Sequence, residues 1–170
     1  VHDIGHPPFA HAGEAELNRQ MARYGGSFDH NLHALRIVEV LEQRYADFPG
    51  LNLTFEVREG TAKHSRDFEP GEFPELDEYL PGLRPSAEAQ LIDLADEVAY
   101  STADLDDAHD GGLFEIEEIG AEVPAFGRLL SAARKRHASS PERVLFAEAL
   151  RGLIDLLVSG LIEGTREAAL

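Results

Sequence analysis

The sequence predicts an all-α domain, and three observations carry that expectation. Apolar residues recur at helical spacing, most clearly at Leu32, Leu35, Val38, Leu41 and Tyr45. Helix-start residues and glycine or proline stops bracket the periodic stretches, with Asp29 and Ser86 at starts and Gly25-Gly26, Pro49-Gly50 and Gly111-Gly112 at ends. No segment alternates apolar and polar residues over a strand's length, and the chain has no internal repeat.

The stretch from Val1 to Ala10 comes before the first regular helix. Gly5, Pro7 and Pro8 break helical hydrogen bonding there, so a turn is predicted that folds His6 and His11 back over the His2-Asp3 pair. A helix follows from His11 to about Tyr24, with Ala15, Leu17 and Met21 on an imperfect apolar face. A stronger one runs from Asp29, its N-cap, to Ala46, and Asp47-Phe48-Pro49-Gly50 closes it. Thr54 to His64 fits a short helix capped by Thr54, with Val57 and Ala62 turned inward. Residues 65–85 are rich in acids, proline and glycine and read as an irregular loop. Ser86 opens the longest helix, Ala87 to His109, and two or three further helices occupy Val123 to His137 and Glu142 to about Thr165. The expected organisation is a core over residues 1–112, interrupted by the 65–85 loop, with a helical extension over 113–170 packed on it.

Composition narrows the function classes. Of 170 residues 43% are hydrophobic, enough for a core, and none is cysteine. Disulfides and thiolate metal sites are excluded, so any bound ion must be held by imidazole and carboxylate, and the expected setting is the cytoplasm. The net charge of −17 argues against a general electrostatic grip on nucleic acid or an anionic membrane. It leaves room for an anionic ligand in a cleft where an ion and a few cations reverse the local sign. No apolar run is long enough for a membrane span. The first residue is Val, and it stands directly on the motif. Metal ligands need supporting groups on both sides, so the chain is expected to be a piece of a longer protein.

The groups that carry chemistry fall in four places. His2-Asp3, His6, His11 and Glu14 crowd imidazole and carboxylate into a short stiff stretch, which suits a mid-row divalent metal and also proton transfer near neutral pH. His11 and Glu14 are three apart at a helix start and share a face, so the carboxylate can fix the imidazole's tautomer as a general acid requires. His30-Asn31 opens a helix, where exposed N–H groups favour an anion; His33, a turn on, reads as a packing residue. Lys63-His64 ends another helix and is a plausible phosphate contact. On the long helix Asp93, Asp96, Tyr100, Asp104 and Asp107 form one narrow stripe opposite Leu91, Leu94, Val98 and Leu105. A solvated acidic face and a ligand-bearing face both fit that wheel. His109, His137 and Arg134-Lys135-Arg136 read as surface groups.

Taken in order, these residues resemble the HD-domain phosphohydrolases, and within them the deoxyguanosinetriphosphate triphosphohydrolase-like branch. The stretch from His2-Asp3-Ile4-Gly5-His6 through His11-Ala12-Gly13-Glu14 carries the resemblance. Phe28-Asp29-His30-Asn31, Phe48-Pro49-Gly50, Glu59-Gly60 with Lys63-His64, and Asp93 to Asp107 support it. It covers about Val1 to Leu113.

The resemblance implies an all-helical HD bundle that hydrolyses a deoxynucleoside triphosphate such as dGTP to deoxynucleoside and inorganic triphosphate. It implies a divalent metal, Mn²⁺ or Mg²⁺ or another first-row transition ion, held by His2, Asp3 and Asp96. It also implies a further histidine ligand before Val1. His11 and Glu14 match the catalytic histidine–acid pair, His6 and His30 the phosphate pocket, and Tyr100 and Asp104 the deoxyribose contacts. A homo-oligomer, and a dNTP or single-stranded DNA as effector, are implied by resemblance alone. The competing expectations are an HD phosphohydrolase acting on a monophosphate or signalling nucleotide, and a non-catalytic helical module that binds a nucleotide.

Overall fold

The computed structural model describes residues 2–169, and among these it is all-α, with no strand and one isolated bridge between Gln43 and Gly50. Its contacts group the chain into two units, Val1–Asp93 and Leu94–Leu170.

The first unit opens with a 3-10 turn, His2–Gly5, followed by α1 (Ala10–Ala22) and α2 (His30–Arg36). Asp29 caps α2 as expected, its Oδ1 accepting from the Leu32 N–H at 2.9 Å. The helix then widens into a π turn over Ile37–Leu41 and stops five residues short of the expected Ala46. The returning loop supplies the reason. Leu51 N–H donates to the Val38 carbonyl at 2.7 Å, while Glu42 N–H reaches back to Ile37 at 3.0 Å. Gly50 (φ +66°) lies so close that a Cβ there would sit 2.3 Å from the Glu39 oxygen, so only glycine permits the return.

Next comes α3 (Phe55–Ala62), where Thr54 makes no side-chain cap bond and Val57 is half exposed rather than inward. The stretch 65–85 is irregular, but it is not a surface loop. It contains a 3-10 turn, Pro74–Tyr79, and contributes Phe68, Leu76 and Tyr79 to a core shared with Leu35 and Ala62. Full burial of each such side chain contributes about 1.5–3 kcal/mol. Charged ties pin the same stretch. Arg66 grips Asp29 with both terminal nitrogens, and the Tyr79 hydroxyl donates to Glu39 at 2.6 Å. Ser86 then caps the long α4 (Ala87–Asp110) through the Ala89 N–H at 3.3 Å.

The second unit holds the rest of α4 with α5 (Ile116–Glu122), α6 (Pro124–Arg136) and α7 (Glu142–Ala168). Its core is Ile116, Ile119, Phe126, Leu130, Leu145, Phe146 and Leu150. Helix α5 has no counterpart in the sequence expectations because two turns are too short for a periodic signal. A reciprocal capping box between Glu115 and Glu118 starts it. Gly120 and Gly127 let α5 and α6 meet backbone to backbone, since a Cβ on Gly127 would lie 2.4 Å from the Gly120 oxygen. His109, expected at the surface, instead stacks on Phe146 with centroids 4.0 Å apart. Among the described residues no helix is long and apolar enough to cross a membrane.

Candidate active site

The site is built on the turn that precedes α1. Its 3-10 residues lie directly on α2, an approach that depends on Gly5: a Cβ there would meet the His30 carbonyl oxygen at 2.0 Å and the Ala34 nitrogen at 2.6 Å. After His6 the chain passes through Pro7-Pro8 and then holds Phe9 and Ala10 at φ +67° and +46°. Two successive non-glycine residues in the left-handed region cost on the order of 1–3 kcal/mol each. The reversal they make turns α1 back, and Gly13 fits under the Pro8 carbonyl where a Cβ would lie 1.8 Å from its oxygen. The opening segment thus reverses direction as expected of its prolines, with the strain placed between His6 and His11.

The consequence is a cluster of four side chains. His6 stacks on His30, with centroids 4.0 Å apart and planes 9° from parallel. His11 stands edge-on to both, at 4.9 Å from His6 and 5.4 Å from His30. Glu14 joins them: Oε1 accepts from the His30 backbone N–H at 2.8 Å and lies 2.8 Å from His30 Nδ1, and Oε2 lies 3.2 Å from His11 Nδ1. Burial pushes the Glu14 carboxyl up, but the hydrogen bonds from the His30 ring and backbone and from the His11 ring outweigh it and hold it at about 2. Glu14 is therefore an anion at neutral pH that orients two imidazoles together. The His11–Glu14 pair was legible from spacing; the His30 partner, sixteen residues away, was not.

His6 is more constrained. Burial lowers its pKa first, and the neighbouring His30 and His11 lower it further against the opposing pull of Asp3 and Glu14. Among the described residues its Nδ1 is buried without a hydrogen-bond partner, and its Nε2 stands 3.8 Å from Asp3 Oδ1. The side chain of His2 lies outside the described residues, whereas the Asp3 side chain is 63% exposed at the edge of the cluster. The donors suit a borderline divalent ion, being imidazole and carboxylate without thiolate. One ligand atom each of His6, His11, Glu14 and His30 also lies within 4.8 Å of the others, a group that could hold an ion.

Lys63 and His64 are drawn into the fold itself. Lys63 is buried, and its ammonium donates to Glu59 Oε1 at 2.7 Å and to the carbonyls of Leu80 and Leu83 at 3.0 and 2.8 Å. Those three bonds use its three donors, so it clamps the end of the 65–85 stretch and has none left for phosphate. His64 is also buried, with Nδ1 2.6 Å from Asp93 Oδ1. The member of the acidic stripe that comes first, Asp93, is thereby committed to α3. Asn31, legible beforehand only as part of a helix start, is fully buried. Its amide donates to the Ala62 and His64 carbonyls at 3.4 and 3.0 Å and so ties α2 to the end of α3. Asp96, Tyr100 and Asp104 follow along α4 at four-residue steps on one face of the helix, within the second unit.

Comparison with known proteins places this geometry in a family. The HD-domain family model matches residues 1–101. A deoxyguanosinetriphosphate triphosphohydrolase-like protein of Thiobacillus denitrificans is 44% identical over 98% of this chain and 44% of its own length. Proteins of the same description from Ralstonia nicotianae and Nitrosomonas europaea are each 45% identical, over 99% and 97% of this chain and 43% and 44% of theirs. The chain thus spans less than half the length of the curated relatives it matches. With the His-Asp turn packed on α2, the four-residue cluster beside it and a family match over more than half its residues, the chain belongs to the HD-domain family.

Proposed function

We propose that this chain is the catalytic portion of a metal-dependent deoxynucleoside triphosphate triphosphohydrolase, releasing deoxynucleoside and inorganic triphosphate. The observation that carries the reading is the convergence of His6, His11 and His30 on Glu14 immediately beside the His-Asp turn. The names of the relatives, deoxyguanosinetriphosphate triphosphohydrolase-like proteins, agree with it. In this reading His2, Asp3 and Asp96 hold a divalent ion such as Mn²⁺ or Mg²⁺, whose chemistry is to lower the pKa of water and polarise the α-phosphate.

The chain's own residues do the rest. Glu14 fixes the orientation of His11, which donates its proton to the departing 5′-oxygen. His6 and His30 face the phosphates and neutralise part of their charge, a local reversal that a chain of net charge −17 requires. Tyr100 and Asp104, a turn apart on α4, contact the deoxyribose, with the carboxylate accepting from the 3′-hydroxyl. Lys63 and His64 act on structure instead, holding the 65–85 stretch and α4 in register with α3.

Incubating the protein with Mn²⁺ and each dNTP in turn tests the reaction. Release of inorganic triphosphate and the deoxynucleoside is the expected outcome. Pyrophosphate with a monophosphate would overturn it, because the bond cleaved would then lie between α- and β-phosphorus.

A further inference from the structure

The geometry points to a second, separate metal site: His11, Glu14 and His30 are arranged to capture a borderline transition ion, Zn²⁺ being the best match, at the cluster itself and not at the His-Asp turn. Three observations support this. First, both ring contacts on Glu14 are made through Nδ1, from opposite ends of the carboxylate, at 2.8 and 3.2 Å. A tetrahedral ion with bonds of about 2.0–2.1 Å holds its ligand atoms roughly 3.3 Å apart, so an ion can replace these hydrogen bonds with small side-chain shifts. Second, Glu14 is already ionised and held by the His30 backbone N–H, which fixes the anionic ligand in place before any ion arrives. Third, the donor set is two imidazoles and one carboxylate, which favours zinc over the oxygen-seeking Mg²⁺ or Mn²⁺.

The stacking of His6 on His30 decides which imidazoles take part. Their planes are 9° from parallel and their centroids 4.0 Å apart, so an ion in the plane of one ring lies well out of the plane of the other. His11 stands at 76° to His30 and has no such conflict. The inner set is therefore His11, Glu14 and His30, with the fourth position open and His6 stacked behind. Binding requires each ligating Nδ1 to present its lone pair to the ion, with Nε2 carrying the ring's proton. If the reading of His11 as proton donor is right, an ion here occupies the donor's partner and acts as an inhibitor; the binding itself does not depend on that reading.

The test is Zn²⁺ alone, titrated into the 170-residue chain, with bound equivalents counted after gel filtration and histidine ring resonances followed by NMR. The expected result is an equivalent that shifts the rings of His11 and His30. That equivalent should persist in Asp96→Asn and weaken by about tenfold or more in Glu14→Gln and in His30→Gln, each checked for native helicity. Co²⁺ substitution should give the intense visible bands of a tetrahedral site in the unsubstituted chain, so the outcome does not hang on the variants folding. Zinc that shifts the His2 ring alone, or whose affinity falls in Asp96→Asn and not in Glu14→Gln, would overturn the proposal. So would the absence of any ring shift at His11 and His30.

Discussion

The His6 ring lies flat on the His30 ring, 4.0 Å between centroids, with its Nδ1 buried and without a hydrogen-bond partner among the described residues. Burial and its histidine neighbours hold the His6 pKa below the usual histidine value. Adding a polyphosphate beside the ring favours the charged form and must raise that pKa. NMR titration of the His6 ring should show a low midpoint that moves up when inorganic triphosphate is added. A midpoint indifferent to triphosphate would remove His6 from the phosphate pocket.

Glu14 makes a stability prediction whose sign follows from its depressed pKa. A carboxyl at about 2 when folded and near 4.5 when unfolded binds fewer protons in the folded state across that interval. Its contribution is therefore complete above the unfolded value and is lost as pH falls from about 4.5 towards 2. Glu14→Gln should cost on the order of 2 kcal/mol at pH 7, from its charge-assisted bonds to His30 and His11. Denaturant unfolding of the two proteins should show that gap flat above pH 5 and closing as the solution is acidified. A gap constant to pH 2 would contradict the arrangement.

Gly5 and Gly25 separate close approach from backbone conformation. A methyl at Gly5 would collide with the His30 oxygen at 2.0 Å, between two backbone segments that cannot yield without moving the His-Asp turn off α2. Gly25 has open space around it but a φ of +74°, so Gly25→Ala meets only the left-handed penalty of about 1 kcal/mol. Gly5→Ala should cost several times more and abolish activity, whereas Gly25→Ala should lower the melting temperature by a few degrees and spare it. Thermal unfolding and turnover measured on both would reverse this ranking only if the turn does not rest on α2.

What the sequence made legible follows from which forces act locally. Helix starts at Asp29 and Ser86 were readable because a cap is a bond within three residues, and both caps form. The His11–Glu14 pair was readable for the same reason. The end of the second helix was not, because Leu51 and Gly50 return from beyond the expected stop to take up its carbonyls. Nor was the packing of the 65–85 stretch, whose polar composition conceals Phe68, Leu76 and Tyr79 at spacings that match no regular element. The same holds for Lys63. A basic residue at a helix end predicts an exposed cation, and only the carbonyls of Leu80 and Leu83, arriving from seventeen and twenty residues away, turn it into a buried clamp.

Asp93 and Asp96 lie one turn apart on α4 and look alike in sequence, yet the function proposed above gives them separable roles. Asp93 accepts from the Ser65 backbone N–H at 3.4 Å and lies 2.6 Å from His64 Nδ1, so its removal takes the 2.6 Å contact away from a buried imidazole. That should cost about 1–3 kcal/mol of stability. Replacing Asp96, in the proposed role of metal ligand, should abolish triphosphate release and lower Mn²⁺ affinity by tenfold or more, roughly the effect of losing a ligand-supporting group or greater. Asp93→Ala assayed well below its melting temperature should keep most of its activity and its full Mn²⁺ affinity, with the loss read in the denaturation midpoint alone. Asp96→Ala should lose both activity and Mn²⁺ affinity at the same temperature. If instead Asp93→Ala loses Mn²⁺ while remaining folded and Asp96→Ala does not, the metal-binding carboxylate of α4 is the one that now holds His64, and the His64–Asp93 contact must open when the ion binds.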